Sequence, residues 1–543
     1  MRASTERGGA LSKLPTDEGP KRSRSKRGRQ GELFAVPALR SFHLPRPGDD
    51  RIGVVDVGSN SVRMVVFESQ RRCPSMVFNE KASCGLGAEL ETTGRLSPEG
   101  VERAMAALHR FVLLAPGLKI GALAGVATAA VREASDGSLF RNRVEEETGI
   151  KLQIASGADE ARLAAQGVIF GDPDANGLVV DLGGASMEFC PVKRGHPGHG
   201  ATTPLGPLRI GDEADDDSVR ELIARHLEPL VSKFGTGDCI YLVGGAWRAL
   251  GRVVIHQNGH PLNILHEFSF SPTEARGVID YLHQADTEML RAVPGLPSGR
   301  MDVLNPAALL LEALIEHFQP REFSISGFGL REGVCFDFLP QNVKAQDPLI
   351  STCQGQEKTR ARSYGFGTEL GRWVLEALQP EDDEERRLIR AAAHLADVSW
   401  RAHPDFRATA CMEVVTRVNV SSAGHHGRAM MAAMLLCRYK GGRKAISDEP
   451  AMALLTPEER DRAQQIGAVL RLGCTLSGAV RGALERVPLS IEDGLLVLDP
   501  ARDAGIMMGE EVSKRLGQAA RALSLAPRLG PLPAQNGKSA ASV

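Results

Sequence analysis

Two short segments carry the same chemical groups in the same order. Asp56-Val57-Gly58-Ser59-Asn60-Ser61 and Asp181-Leu182-Gly183-Gly184-Ala185-Ser186 each place a carboxylate just before a turn of small residues. A turn without bulky side chains lets backbone N–H groups approach a phosphate oxygen closely. An aspartate beside the turn can hold a hard cation such as Mg²⁺. Two such turns facing each other make a phosphate clamp. Further charged groups lie between and beyond them: Arg132-Glu133, Glu160 with Arg162, Glu188, Arg209, Arg248 after Gly244-Gly245, and Arg331. Arginine forks match phosphate oxygens, and a glutamate can orient and deprotonate a water molecule.

Each turn needs rigid elements on both sides. Ile52, Val54 and Val55 precede the first and Val62 to Phe67 follow it; Leu178, Val179 and Val180 precede the second and Met187 to Phe189 follow. The pattern predicts strand, tight turn and strand in both places. From position 51 strands and helices alternate. A helix is predicted over 98–114, with Ser97 as N-cap and Pro98 at its first position. A strand follows at 122–128, a helix at 140–147, a strand at 152–155 and a helix at 159–169. The pattern restarts at Leu178, with a helix behind Ser218, a strand at 240–243 and a capping box at Ser271-Pro272-Thr273-Glu274. A helix at 303–318 and a strand at 322–326 complete it. Two α/β units of similar opening imply a duplication. After about Pro348 the strand signals nearly stop, and 363–480 read as helices. One hairpin is expected near 487–498, turning at Asp493-Gly494.

A chain of 543 residues has room for two to four domains. With 42% hydrophobic and 24% charged residues it has the composition of a globular protein. The formal net charge of −2 excludes global attraction to polyanions, so any such binding needs a local basic groove. Nine scattered cysteines, with no CxxC pair, suggest reduced thiols in a cytoplasmic protein. No apolar run reaches the length of a membrane span, and no secretory signal is expected. Residues 1–50, with Lys21, Arg22, Arg24, Lys26, Arg27 and Arg29, read as a disordered basic arm, and 516–543 as a loose tail.

Four other segments extend the pattern of the two turns. They are Ala127-Thr128-Ala129-Ala130-Val131-Arg132-Glu133-Ala134, Ser156-Gly157-Ala158-Asp159-Glu160-Ala161-Arg162-Leu163, Gly244-Gly245-Ala246-Trp247-Arg248-Ala249-Leu250 and Gly329-Leu330-Arg331-Glu332-Gly333. In this order the chain from 51 to about 340 resembles the Ppx/GppA family, the exopolyphosphatases and guanosine pentaphosphate phosphohydrolases. Thr203 to Arg209 and Trp400 to Asp405 resemble its longer bacterial members.

The resemblance implies an α/β fold. Two ribonuclease H-like domains of the actin/sugar-kinase/Hsp70 superfold, at 51–175 and 176–345, enclose a cleft. An α-helical domain like the HD phosphohydrolases follows at 346–515. It implies an enzyme that hydrolyses a terminal phosphoanhydride. Asp56 and Asp181, with Glu160, then hold Mg²⁺. Gly58, Ser59, Asn60 and Ser61 cradle one phosphate, and Gly183, Gly184 and Ser186 another. Arg132, Gly244, Gly245, Arg248 and Arg331 contact substrate. Glu133 activates the water, with Glu160 as the other candidate and Glu188 a further acidic group. Arg95 is a weaker candidate for substrate contact.

The partners expected are inorganic polyphosphate and, at the same site, pppGpp or ppGpp, with a homodimer and no specific nucleic acid. The rival readings are pppGpp hydrolysis as the main activity, phosphate transfer to ADP with Trp247 or other residues near Gly244-Gly245 flanking the base, and a non-catalytic alarmone sensor. Two departures from the family pattern stand out: Ala185 replaces a glycine and Ala246 a threonine. In the helical region His394, Asp397, His403, Asp405, His425 and His426 include no adjacent His-Asp pair, so no second metal site is expected there.

Overall fold

The two aspartate turns sit at the same place in two related sheets of the computed structural model. The model describes residues 51–530 except 69–70, 212–216, 418–419, 443, 445, 447 and 501–506. The basic arm at 1–50 and the end of the chain after 530 therefore lie outside the described residues. In the first sheet the strand order is β3-β2-β1-β4-β5, with β1 Arg51–Val57, β2 Ser61–Phe67, β3 Met76–Ser83, β4 Ile120–Ala127 and β5 Leu152–Ile154. β2 and β3 run antiparallel to their neighbours, and β4 and β5 are parallel to β1 and to each other. This is the ribonuclease H-like order.

The second sheet repeats it. β6 Gly177–Leu182 takes the place of β1 and β7 Met187–Lys193 that of β2, with β8 His196–Pro197 and the short β9 Ala201–Thr203 paired to β7. β10 Cys239–Gly244 and β12 Glu322–Ile325 extend the parallel side, and β11 Phe268–Phe270 closes the edge. β1 and β6 are central strands buried on both faces, which is why they read as unbroken apolar runs. Val55 and Val57 pack with Leu108, Phe111 and Phe140 on one face of the first sheet. Ile52 and Val54 pack on the other face with Phe170, Phe328 and Leu339, between the two halves.

The halves are joined by a helix crossing. The helix Gly157–Gly171 belongs to the first half and Leu330–Phe338 to the second. A Cβ on Gly167 would stand 2.1 Å from the Gly329 carbonyl oxygen, and one on Gly333 would stand 1.9 Å from the Leu163 carbonyl oxygen. The two backbones therefore touch where only glycine leaves room. Arg162 and Gln166 extend the contact by reaching Asp337, the latter at 2.8 Å.

From Pro348 on, the described residues form seven helices of eleven residues or more and a small sheet: Pro348–Arg360, Phe366–Ala377, Asp383–Leu395, Arg407–Arg417, Gly424–Tyr439, Pro457–Ser477 and Glu510–Ala522, with β13 Leu489–Glu492, β14 Leu495–Leu498 and β15 Ala526–Leu529. The expected hairpin turns at Asp493 and Gly494, both with left-handed φ. The tail expected to be loose from 516 is corrected as far as 530. Val512, Leu516, Ala519 and Ala520 bury one face of its helix, and β15 pairs in parallel with β14. That stretch contains few large apolar residues, but its small ones recur at helical spacing.

This region is tied to the α/β halves by buried polar contacts. Arg72 donates to the carbonyls of Ile169 at 2.8 Å and Phe170 at 2.5 Å, while its own carbonyl accepts from Ser351 Oγ at 2.9 Å. Glu267 accepts from the backbone N–H groups of Ala423 and Gly424 at the start of the Gly424–Tyr439 helix. No helix of the described residues is long and apolar enough to cross a membrane. All nine cysteines are free thiols.

The helix crossing has a measurable consequence. Gly333→Ala is expected to cost about 1–3 kcal/mol by overpacking, read as a lower urea midpoint. An unchanged midpoint would mean that the helices part without penalty.

Candidate active site

The two turns are built alike. Gly58 N–H donates to Ser61 O at 3.0 Å, and Gly183 N–H donates to Ser186 O at 3.0 Å. Each turn joins antiparallel strands in the same register, with Asp56 opposite Arg63 and Asp181 opposite Glu188. Residues opposite each other across a strand pair share a face. The first aspartate therefore stands beside a cation and the second beside another carboxylate. The methyl group of Ala185 leaves the turn hydrogen bond unchanged, and its φ is not left-handed.

Neighbouring backbone braces both turns. Cys84 and Gly85 N–H donate to Asn60 O, and Gly87 N–H donates to Ser59 O. Gly244, with φ of 122°, brings the end of β10 against the second turn. A Cβ there would stand 2.4 Å from Leu182 O and 3.2 Å from Asp181 Oδ1. Arg248 follows one turn later on the helix Gly245–Gln257.

Five acidic groups share this region, among them Glu332, which accepts from Gly329 N–H at 2.9 Å and acts on both Asp56 and Asp181. Burial raises the pKa of Asp56, against the pull of Arg331 and Arg63. Burial raises Asp181 to about 6, opposed by Arg248 and reinforced by Asp56. Glu160 is raised to about 7 by burial, although Arg132 is bonded to it and pulls the other way. Asp181 and Asp56 add to its rise. Glu188 is raised to about 8, by burial and then by the charges of Glu160 and Asp181. Thr202 Oγ1 donates to it at 3.0 Å. Carboxylates crowded in this way have the donor chemistry for a hard divalent cation. Among the described residues no three acidic, His or Cys groups form a ready chelating cluster. Such a set can offer one or two carboxylates to an ion whose remaining positions are filled by water and phosphate oxygens.

Cations face these acids. Arg248 is held below its usual range by burial and then by Arg331. Arg63 is lowered to about 10 by burial, with Arg331 and Arg248 adding. Lys81 is lowered by burial and then by Arg300, Arg63 and Arg331. Arg63 donates to Asn79 at 2.7 Å. The side chains of Lys81, Arg248, Arg300 and Arg331 make no hydrogen bond or ion pair with any described residue. Arg63, Lys81 and Arg300 escaped the sequence reading because none belongs to a recognised motif. The strand register of Arg63, two residues past the first turn, was the one available signal.

Glu133 lies apart from the buried acids. It ends the short helix Ala129–Glu133, is exposed, and meets Arg209 of the second half at 2.8 Å and Arg132 at 3.7 Å. Arg209 also approaches Glu91 at 3.5 Å, so it bridges the two halves. Arg162 binds Gln166 and Asp337 within the helix crossing, and Arg95 binds Asp136 at 3.3 Å.

Trp247 is corrected: it is fully buried in the core of the second half and offers no face to a base. Its place in the motif beside Arg248 suggests a position near the ligand, but on a helix the residue before Arg248 points about 100° away. In the helical region His394 bonds Glu357 at 2.8 Å and Asp397 binds Arg362 at 2.7 Å, so both are engaged in local packing.

Comparison with known proteins follows the same division of the chain. Residues 65–342 match the model of the Ppx/GppA phosphatase family, and residues 349–526 match that of the exopolyphosphatase C-terminal domain. Retrograde regulation protein 2 of Saccharomyces cerevisiae is 25% identical over 440 residues, 72% of this chain and 72% of that protein. Exopolyphosphatase 1 of Mycobacterium tuberculosis is 26% identical over 302 residues, 52% of this chain and 87% of that protein. Among solved structures, an exopolyphosphatase from Cytophaga hutchinsonii is 22% identical, covers 54% of this chain and 99% of its own, and has a TM-score of 0.47.

The raised carboxyl of Glu160 has a signature in stability. The folded protein keeps this proton up to about 7, whereas the ordinary glutamate value is 4.5. Between these values the folded state binds more protons, so stability falls as pH rises. Glu160→Gln is expected to reduce that slope, read from urea midpoints on the two sides of the window. An undiminished slope would overturn the assignment.

Proposed function

The chain belongs to the Ppx/GppA phosphatase family, and from that premise we propose that it is a Mg²⁺-dependent exopolyphosphatase, releasing orthophosphate from the end of linear polyphosphate. The observation that carries this reading is the group of cations Lys81, Arg248, Arg300 and Arg331, whose side chains make no hydrogen bond or ion pair with any described residue and whose charges act on one another beside the buried acids. Several cations gathered beside one cleft suit a chain of phosphates better than a single terminal group. The burial of Trp247 removes the named aromatic candidate for flanking a nucleotide base.

In this reading the N–H groups of the two turns bind the phosphates being separated. Asp56 and Asp181, assisted by Glu160, hold the ion, which supplies charge neutralisation to the phosphate oxygens. Glu133 takes the proton from the attacking water, and Glu160, with its pKa near neutrality, is the alternative acceptor. Arg248 and Arg331 stabilise charge on the transferred group and hold the leaving chain. Phosphoryl transfer asks the protein mainly for positioning and neutralisation, and these residues provide both.

One observation favours a second reading, a sensor that binds an alarmone without turnover. The similarity to retrograde regulation protein 2, named for a regulatory role, spans more of this chain than the similarity to the exopolyphosphatase.

Phosphate release separates the readings. The purified protein with Mg²⁺ is expected to release phosphate from long-chain polyphosphate faster than from pppGpp. No release from either substrate, with binding retained, moves the protein to the sensor. Formation of ATP when ADP is added moves it to phosphotransfer. Glu133→Gln is expected to lower turnover about 10²- to 10⁴-fold; full turnover in this variant, with loss in Glu160→Gln, would transfer the base to Glu160. Arg248→Ala or Arg331→Ala is expected to lower kcat/KM about 10- to 100-fold, the worth of a hydrogen bond to a charged group.

A further inference from the structure

The two α/β halves also meet through a chain of alternating charges. Glu160 binds Arg132, and Arg132 Nη2 lies 3.7 Å from Glu133 Oε1. Arg209 Nη2 donates to Glu133 Oε2 at 2.8 Å, and Arg209 Nε lies 3.5 Å from Glu91. Of these residues only Arg209 belongs to the second half. Among the described residues it is the one hydrogen-bond partner of the Glu133 side chain.

Arg209 is rooted beside the second turn. It lies on the four-residue helix Pro207–Ile210, and Leu205 just before that helix and Ile210 at its end are buried in the core of the second half. A Cβ on Gly206 would stand 2.4 Å from the Gly184 carbonyl oxygen and 2.3 Å from the Ala185 carbonyl carbon, so the backbone there lies directly on the turn. Three residues later Arg209 crosses to the first half. At the other end of the chain of charges, Arg132 is fixed by the Ala155 carbonyl at 2.8 Å as well as by Glu160.

Stability does not account for this contact. The Arg209 and Glu133 side chains are 28% and 37% exposed, and an ion pair so placed contributes little to folding. The glycine crossing already joins the halves. What the bond fixes is placement. With its Oε2 held by Arg209, Glu133 leaves the Arg132 fork to Glu160. Released, Glu133 is the sequence neighbour of Arg132 and close enough to draw that fork away. Both acids named as acceptors of the water proton would then be misplaced.

We propose that Arg209 is a positioning residue of the site, holding Glu133, and through Arg132 also Glu160, in register with the second turn. Its effect on rate rests on the hydrolase reading; its geometry does not.

Kinetics on long-chain polyphosphate and hydrogen exchange on the ligand-free full chain test this role. Arg209 is exposed, so Arg209→Ala keeps the core intact. Its kcat is expected to fall about 10- to 100-fold, as for a displacement of about 1 Å, with KM unchanged. Arg209→Lys keeps the charge and loses the fork, and is expected to recover part of the loss. In the Glu133→Gln background Arg209→Ala is expected to add nothing, whichever acid is the base, because Arg209 acts through Glu133. Full kcat in Arg209→Ala, a loss confined to KM, or equal losses in the two backgrounds overturns the proposal. Without ligand, Arg209→Ala is expected to speed exchange in peptides covering 129–135, and unchanged exchange also overturns it. A chain that releases no phosphate yet shows the faster exchange fails as a hydrolase and keeps this contact; one that releases phosphate with exchange unchanged fails only here.

Discussion

The close crossing of the helices Gly157–Gly171 and Leu330–Phe338 is the constraint on which the site depends. At Gly167 and Gly333 the two backbones meet with no side chain between them. A contact of this kind leaves little freedom for sliding, because any larger residue meets a carbonyl oxygen. Each helix also carries a charged residue in its first turn, Glu160 on one and Arg331 on the other. Both interact with Asp56 and Asp181. The packing that joins the halves is thus the packing that relates their charges. Arg72 adds a second tie, gripping the carbonyl end of the Gly157–Gly171 helix while Ser351 of the helical region holds its own backbone.

The two turns are alike because they occupy the same place in sheets of the same strand order, and one cross-strand position sets them apart. Asp56 faces Arg63, whereas Asp181 faces Glu188. The first position is partly neutralised within its own sheet. The second adds negative charge, which reinforces the rise of Glu188 to about 8 caused first by burial. The acids therefore gather towards the second turn, and the cations Arg63, Arg248 and Arg331 act on them from both halves. Buried acids and cations with no hydrogen-bonded partner thus stand close enough to shift one another's pKa values.

Much of this was legible before any coordinates. The apolar runs before each turn, the caps at Ser97 and Ser271 and the turn at Asp493-Gly494 follow from local rules, and the structure contains them. Strands such as Met76–Ser83 and Ala201–Thr203 were not legible, because they lie on sheet edges or are too short to show periodicity. The helix Glu510–Ala522 was hidden by the small size of its buried residues. Trp247 shows the opposite error, since proximity in a motif does not tell which face of a helix a residue occupies.

By itself the sequence determined the chemical inventory and its local placement: two aspartates at small-residue turns, glutamates and arginines near helix starts, and a repeated α/β pattern. These depend on interactions within a few residues. Tertiary structure decided which charges meet. Glu160 is raised towards neutrality while Glu133 lies exposed against Arg209. Arg162 is spent on Asp337, whereas Arg63, Lys81 and Arg300 join the site. Electrostatic energies depend on burial and on distances between groups remote in sequence, and only the folded packing sets those.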